Sequence, residues 1–432
     1  MLIGIDASRA NRKFKGGTEW YSYYLIRELA KIDSKNQYIL YSDKPLIGGL
    51  ADLTNENQAA SAGIIDSYGW PASPELQRGE QQIKSPFGNF RVKILKWPFT
   101  YFWTQIRLSY EMLVRRIDIL FVPAHTLPVI HPKKSIVTIH DIGFERFAKL
   151  YSSDKIGPES GLISNVLNFF AELFTGGKFH SNILDYHSWS TKFALEHAKI
   201  IIAVSEFTKQ EMVEFYKADA EKIKVVCNGF NDQLYRPIQD AEKINQVLSQ
   251  YDIKTPYIFY AGRLEKKKNI ANLVEAYAIM KQKFKDIKHN LVLVGSAGLG
   301  FDKVKDVINE FNLHENIIVT GWVPEADMPY IYNGADLFVF PSLYEGFGIP
   351  LLEAMASGVP IAASNTASIP EVVKNSALLF DPENKDDMAE KMAKILLDKQ
   401  LADKLISRGL ERAKDFCLAK CAKETLALFE KM

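Results

Sequence analysis

Short, nearly uninterrupted apolar runs recur along the whole chain, and they constrain its fold more than any other feature. In the first half they are LIGIDA (2–7), QYILYS (37–42), DILFVP (118–123), SIVTIH (135–140), KIIIAVS (199–205) and KIKVV (222–226). In the second half they are YIFYAG (257–262), NLVLVG (290–295), NIIVTG (316–321), DLFVFP (336–341) and VPIAAS (359–364). Runs of this length, rich in β-branched and aromatic residues and closed by turn residues, predict strands buried on both faces. Longer amphipathic segments separate them, so strand and helix alternate and the sheets are parallel. The polar stretch near 230–255 divides the runs into two series. The expectation is an α/β chain with domains at 1–235 and 236–415. A last helix, at 416–432 (CLAKCAKETLALFEKM from 417), folds back on the first domain. In doubly wound sheets ligands bind beyond the carboxyl ends of the strands, and a cleft between the two domains is the expected site.

Composition narrows the function classes. A chain of 432 residues with 47% hydrophobic and 24% charged residues buries large cores without disulfides or metals. A net charge of +1 gives no global field for nucleic acid, which is not an expected partner. Cys227, Cys417 and Cys421 form a sparse, odd set without a C-x-x-C pair, which fits a reducing cytosol. The start, MLIGIDASRA, enters a strand without a basic region and apolar core, so no signal peptide is expected. No run of 18 or more apolar residues predicts a transmembrane helix. The expected location is therefore the cytoplasm, at the inner face of the cell membrane if the acceptor is lipid-linked.

Three stretches break the alternation. Residues 43–90 are polar and read as long loops. An insert near 151–190 carries GLISNVLNFFAELFTGGKFH, with apolar residues at helical spacing. It reads as a helix packed on its own domain, with an acceptor- or membrane-facing helix as the sharper alternative. Residues 91–116, RVKILKWPFTYFWTQIRLSYEMLVRR, interleave basic and aromatic side chains. They read either as an amphipathic helix covering the first sheet or as an interfacial patch for anionic lipid.

The richest chemistry lies in FPSLYEGFGIPLLEAMASGVPIAAS (340–364). A buried strand ends at Pro341, a turn follows, and Pro350 suits the first position of a helix that Gly358 closes. Glu345 then lies on the loop and Glu353 about one turn inside the helix, both beyond the strand end. Ionised carboxylates only accept hydrogen bonds, so they suit sugar and ribose hydroxyls. The free N–H groups of the helix start, approached closely through Gly346 and Gly348, suit a diphosphate. Two solvated acids on a surface turn would show the same spacing, so the pair gains weight only from its surroundings.

Those surroundings resemble the retaining glycosyltransferases of family 4, whose GT-B fold has two Rossmann-like domains facing each other across a cleft. The likeness covers most of the chain and is strongest over 255–385: YAGRLEKKKNI, GWVPEADMPYIYNGADLFVFPSLYEGFGIPLLEAMASGVPIAAS, SIPEVV and ALLFDP. In the first half GGTEWYSYYLIREL, TIHDIGF, AKIIIAVSEFTKQEM and VVCNGFND follow the family's order. The resemblance implies that Glu353 holds the nucleotide ribose and that Glu345 faces the donor sugar, with the backbone around Phe347, Gly348 and Ile349. It implies that Arg263 and Lys268 neutralise the diphosphate, and that the base lies at Gly321–Val323 on backbone contacts. GSAGLG (295–300) is not G-x-G-x-x-G and reads as a strand-to-helix turn near the phosphates. No D-x-D occurs, so no cofactor and no metal are expected, with cations and helix N-termini in the metal's place.

On the acceptor side, Gly16 and Gly17 lie in a loop after the first strand, where glycine permits close backbone approach. Thr18 is a candidate cap for the next helix, whose apolar face holds Tyr21, Tyr24, Leu25 and Leu29. His140 and Asp141 follow one strand and His125 the preceding one, so all three emerge on the same rim. The resemblance implies that this rim meets the acceptor hydroxyl and the donor sugar, with His140 and Asp141 ahead of His125. It also implies front-face displacement, in which the leaving phosphate takes the acceptor proton and no strong general base is needed. The segments IDASRA, GGTEWY and TIHDIGF are similar to mannosyltransferases of surface polysaccharide assembly. GDP-mannose is therefore favoured over UDP sugars, and a glycan or lipid-linked glycan as acceptor. A sugar epimerase or phosphorylase of the same fold, and a catalytically silent scaffold, are the alternatives.

Overall fold

The computed structural model describes residues 1–53, 87–98, 102–151 and 183–432. The proposed insert sequence GLISNVLNFFAELFTGGKFH and most of the 43–90 loop lie outside these residues. The chain divides into two compact units, Met1–Asn228 with Leu418–Met432, and Gly229–Cys417.

In the first unit, β1 (Leu2–Asp6), β2 (Gln37–Ser42), β3 (Phe90–Ile94), β4 (Ile119–Val122), β5 (Ser135–Ile139), β6 (Ile200–Ala203) and β7 (Ile223–Val225) form one sheet. Its order is β3-β2-β1-β4-β5-β6-β7, and every pairing is parallel. The central strands are apolar on both faces because helices cover both sides. The helix Gly17–Ile32 turns Tyr21, Leu25 and Leu29 inward, as their spacing requires, while Tyr24 stays half-buried and stacks on Trp20. The last helix, Leu418–Glu430, packs beside it and brings Phe429 against Phe121, ring centroids 5.3 Å apart.

In the second unit, β8 (Tyr257–Ala261), β9 (Asn290–Val294), β10 (Ile317–Gly321), β11 (Leu337–Phe340), β12 (Ile361–Ser364) and β13 (Ala377–Phe380) form a parallel sheet in the order β10-β9-β8-β11-β12-β13. The strand order reverses direction between β1 and β4 in one unit and between β8 and β11 in the other. Loops leaving the two central strands part there, which opens a crevice at the carboxyl ends.

The structure corrects three local readings. Residues 91–116 are not one amphipathic helix: β3 adds a strand beside β2, and a π-helical turn (Trp103–Leu108) leads into a short helix, Ser109–Val114. The alternation of Arg91 and Lys93 with apolar Val92 is thus strand alternation. Thr18 is not the cap of its helix; Gly16 holds that position and its N–H donates to Glu19 Oε2 at 3.1 Å. Pro350 is the second residue of its helix, which begins at Ile349.

Candidate active site

In the second unit the loops after β8 and β11 carry the polar side chains. Gly262 follows β8, and its φ of +147° favours glycine. Gly295, after β9, has to be glycine for a different reason: a Cβ there would lie 1.9 Å from the Gly262 carbonyl oxygen. The two loops stay cross-linked beyond the sheet. Leu264 N–H donates to Ser296 O, Gly298 N–H to Leu264 O, and Lys266 N–H to Leu299 O. GSAGLG is therefore a turn that braces the 262–268 loop. The next link runs from Leu343 N–H to Lys267 O at 3.0 Å, which ties that loop to the one after β11.

This bracing brings Lys268 and Glu345 into contact, Nζ to Oε1 at 2.5 Å, with both side chains largely covered. Ser342 Oγ donates to the same oxygen at 2.7 Å, and Ser368 Oγ donates to the Glu345 carbonyl at 2.9 Å. A half-desolvated ion pair held from both sides is a fixed electrostatic feature. Arg263 differs: its side chain is 67% exposed and lies 3.7 Å from Glu265 Oε2, while Tyr260 Oη donates to its carbonyl. The Arg263 backbone is thus held by Tyr260, while its guanidinium is exposed. Glu265, largely covered and near both Arg263 and Lys267, belongs to the cluster although its place in LEKKKN reads as an ordinary loop.

Gly348 starts the next helix with φ +95°. A Cβ there would crowd Leu351 Cδ1 at 3.0 Å and Phe340 Cε1 at 3.3 Å. Phe347 turns its ring inward, edge-on to Phe416 at 5.6 Å between centroids, so only its backbone is available to a ligand. Glu353 keeps slight solvent contact but protein surrounds it on most sides. Burial pushes its carboxyl up to about 7, although the Tyr332 and Tyr235 hydroxyls oppose the shift. Tyr332 Oη donates to Glu353 Oε2 at 2.9 Å. Both tyrosines were missed. Tyr332, in MPYIYN, carries the spacing of an ordinary packing aromatic, and Tyr235 lies on the loop that opens this unit. Val323 is buried and Trp322 is exposed, beyond Gly321 at the end of β10.

In the first unit the rim after β1, β4 and β5 holds Asp6, His125, His140 and Asp141. His140 is buried, and its Nε2 lies 2.9 Å from the Pro123 carbonyl. A carbonyl only accepts, so Nε2 carries the proton and Nδ1 is left as an acceptor. Burial lowers the His140 pKa, keeping the ring neutral at pH 7. His125 sits 5.4 Å away between ring centroids, and burial, together with its histidine neighbour, lowers its pKa as well. Its buried Nδ1 finds no hydrogen-bond partner among the described residues. Tyr21 meets His140 edge-on at 4.8 Å. Asp141 Oδ1 accepts from Gly143 N–H at 3.1 Å and lies 3.5 Å from the Tyr151 hydroxyl, so its carboxylate is engaged in shaping the turn. Asp6 is buried and accepts from both the backbone N–H and the hydroxyl of Ser8, a brace for the loop that leads to Gly16. At Gly17 an added Cβ would meet open space, so packing does not demand glycine there.

Two parallel α/β units, one with a cation–carboxylate cluster at its central crevice and the other with a neutral histidine rim, define a GT-B glycosyltransferase. Family models agree: Glycosyl transferases group 1 matches residues 241–412, and Glycosyltransferase Family 4 matches residues 67–234. The chain belongs to this glycosyltransferase family. It is 33% identical over 263 residues to O-antigen chain mannosyltransferase B of Escherichia coli, spanning 60% of this chain and 68% of that protein. Among solved structures, sucrose-phosphate synthase of Thermosynechococcus elongatus superposes with a TM-score of 0.69 at 18% identity, covering 100% of this chain and 98% of that one. HepE of Anabaena, solved with UDP and glucose, gives 0.66 at 17% identity, covering 100% and 99%. Identities this low carry the fold alone.

Proposed function

We propose that the chain transfers a mannosyl group from GDP-mannose to a glycan or lipid-linked glycan, with retention at the anomeric carbon. The observation that carries this reading is the Lys268–Glu345 contact, which joins a cation and a sugar-binding carboxylate at the crevice of the second sheet. The choice of mannose leans on the likeness to the O-antigen mannosyltransferase.

In this reading Glu353 accepts hydrogen bonds from the ribose hydroxyls, and Tyr332 holds its carboxylate in place. Lys268 and Arg263 offset the negative charge that grows on the diphosphate as the sugar leaves. Glu345, with the backbone at Phe347, Gly348 and Ile349, orients the donor sugar, and Gly321–Val323 carries the base. Gly16 and Gly17 allow close backbone approach. His140 accepts a hydroxyl proton in a hydrogen bond at Nδ1 and stays neutral. His125 and Asp141 shape the same rim. The bond from the anomeric carbon to the phosphate oxygen breaks while the bond to the acceptor oxygen forms on the same face. The acceptor proton passes to the departing phosphate oxygen, so the protein supplies position and charge.

Thermal shift with GDP, UDP, ADP, GDP-mannose, UDP-glucose and UDP-N-acetylglucosamine, on wild type and Glu353→Ala, tests the donor. A ligand that binds only the native state raises the midpoint. A rise with GDP and GDP-mannose alone, lost in the variant, is the expected result. A rise confined to UDP compounds would overturn the choice of base, and no rise with any of them would overturn the reading.

A further inference from the structure

In the first unit the helix Ile183–His197 carries a line of rings on one face. Tyr186, Trp189, Phe193 and His197 follow one another three and four residues apart, so they are neighbours along the helix. Each ring meets the next. Centroids lie 6.2 Å apart from Tyr186 to Trp189, 5.5 Å from Trp189 to Phe193, where the rings stack, and 4.4 Å from Phe193 to His197. A different face of the helix, with Ser190, Ala194 and Leu195, is the one buried in the core. Phe193 rests against the edge of that core, but Tyr186, Trp189 and Phe193 are only partly buried and His197 is exposed.

The line starts at the rim. Tyr186 Oη donates to Gln105 Oε1 at 2.9 Å, and Thr126, next to His125, acts on the same hydroxyl. Arg9 is near enough to Tyr186, His125 and His140 for its charge to act on all three. Two buried polar atoms in this corner have no hydrogen-bond partner among the described residues, Gln105 Nε2 and His125 Nδ1. Gln105 as a whole is 6% exposed. A buried donor left unmade is costly, and a ligand group that bonds to it removes the cost. A sugar hydroxyl both donates and accepts, so it suits the amide and the imidazole alike.

We propose that a neutral hexose chain lies along this helix as the glycan acceptor. Gln105 and His125 read hydroxyls of its terminal sugar, and the faces of Trp189 and Phe193 stack on the sugars behind it. This rests on the transferase reading and adds to it a dependence on chain length. The chemistry of the face chooses the occupant. Tyr186, Trp189 and Phe193 carry no charge, and Lys192 and Glu196, exposed on the same helix, offset each other at 4.0 Å. The C–H faces of a hexose are apolar and pack on flat rings, while its hydroxyls meet water or the polar edges of tyrosine and tryptophan. From Tyr186 to His197 the helix rises about 16 Å, room for more than one sugar ring. The line is continuous with the rim, so a chain whose end reaches His125 passes over the rings without a break.

Calorimetric titration of the intact protein, with no donor present, tests this. The probes are two series, methyl α-mannoside to α-linked mannotetraose and methyl α-glucoside to maltotetraose. In one series or the other, wild type should bind the tetrasaccharide about tenfold or more tightly than the monosaccharide. Trp189→Leu with Phe193→Leu keeps apolar bulk and removes the flat faces. That advantage should then shrink to about twofold, with monosaccharide affinity unchanged. Gln105→Leu should keep the length dependence and lower the affinity for every member by about tenfold, the usual worth of a bond to a buried donor. Tyr186→Phe releases the Gln105 amide with little change of shape, should weaken every member as well, and stands in where Gln105→Leu does not fold. Lys192→Ala, on the exposed side of the helix, should change nothing. Equal affinity or no binding along both series in wild type overturns the proposal. So does a length advantage that survives the leucine variants, and so does unchanged affinity in both Gln105→Leu and Tyr186→Phe. The nucleotide-induced thermal shift should stay at its wild-type value in every variant. It reports on the donor side alone, so the transferase reading and this one can fail independently.

Discussion

The two units share a sheet pattern and differ in how they hold their polar groups. In the second unit the loops after β8, β9 and β11 hydrogen-bond to one another, and the result is a fixed ion pair, Lys268–Glu345, beside an ordered carboxylate at Glu353. In the first unit the rim is neutral: two buried histidines that stay unprotonated and an aspartate engaged in its own turn. One unit concentrates paired charge beyond its central strands, and the other carries neutral rings there. The comparison teaches that a shared topology fixes where a site lies, while loop-to-loop bonding fixes what chemistry it offers.

Breaking the ion pair should separate the units most sharply. Lys268→Ala removes the cation and leaves a nearly buried carboxylate with Ser342 as its remaining side-chain donor. We expect kcat to fall by about 10²–10³, the usual effect of losing one charge-stabilising group, and stability to fall by about 3 kcal/mol. Asp141→Ala should cost roughly tenfold or less in kcat, because supporting a turn is worth less than stabilising the developing charge. A greater loss at Asp141 than at Lys268 would reverse the comparison and make Asp141 a base. The double variant Lys268→Met/Glu345→Leu, with both charges gone, should melt above Lys268→Ala and remain inactive; thermal melts and kcat on the three proteins check this.

Gly348 offers a second comparison. Gly348→Ala forces a Cβ into a left-handed conformation against Phe340 and Leu351, at a cost of about 1–2 kcal/mol. Donor KM should rise with it, since the helix start moves. The matching change in the first unit, Gly17→Ala, meets open space and should leave the melting temperature within a degree or so of wild type. If Gly17→Ala still raises KM or lowers kcat, ligand approach rather than packing is the reason for that glycine.

The last effect concerns pH. Glu353 has its pKa raised to about 7 in the folded protein from 4.5 unfolded. Below the unfolded value both states are protonated and nothing is lost. As pH rises toward the folded value the unfolded chain ionises first, and stability declines. At about 1.4 kcal/mol per unit, the loss above pH 7 is of order 3 kcal/mol. Glu353→Gln has no such term, so it should melt higher than wild type at pH 8, with the gap closing toward pH 4.5. Tyr332→Phe removes a hydrogen bond to the carboxylate and should push its titration higher still, so that donor KM worsens at a higher pH than in wild type. A Tyr332→Phe enzyme with an unshifted pH profile of KM would reduce that tyrosine to packing.

Much of this was legible in the order of residues. Buried parallel strands announce themselves because both faces are apolar, and this placed most of the strands and the loops that end them. Glu345 stood out because its carboxylate lies within a few residues of a strand end, and Arg263 and Lys268 because YAGRLEKKKNI resembles the family's phosphate segment. β3 was not legible: FRVKI is short and carries cations, so it reads like one edge of a basic amphipathic helix until pairing with β2 is seen. Tyr332 and Tyr235 were hidden for another reason. A tyrosine donating to a distant carboxylate has the same local pattern as one that fills a core.

The sequence by itself determined the alternating architecture, the rim on which each polar residue emerges, and two glycines at positive φ, Gly348 and Gly358. Local periodicity and turn chemistry carry that information within a span of a few residues. Only the tertiary structure decided that Lys268 meets Glu345 across seventy-seven positions of chain, that burial keeps His140 neutral with its Nε2 against the Pro123 carbonyl, and that Tyr110, Leu113 and Val114 stay exposed. Those outcomes depend on which strands pair and which loops bond. Partners so far apart in the chain leave no periodic trace in the residues between them.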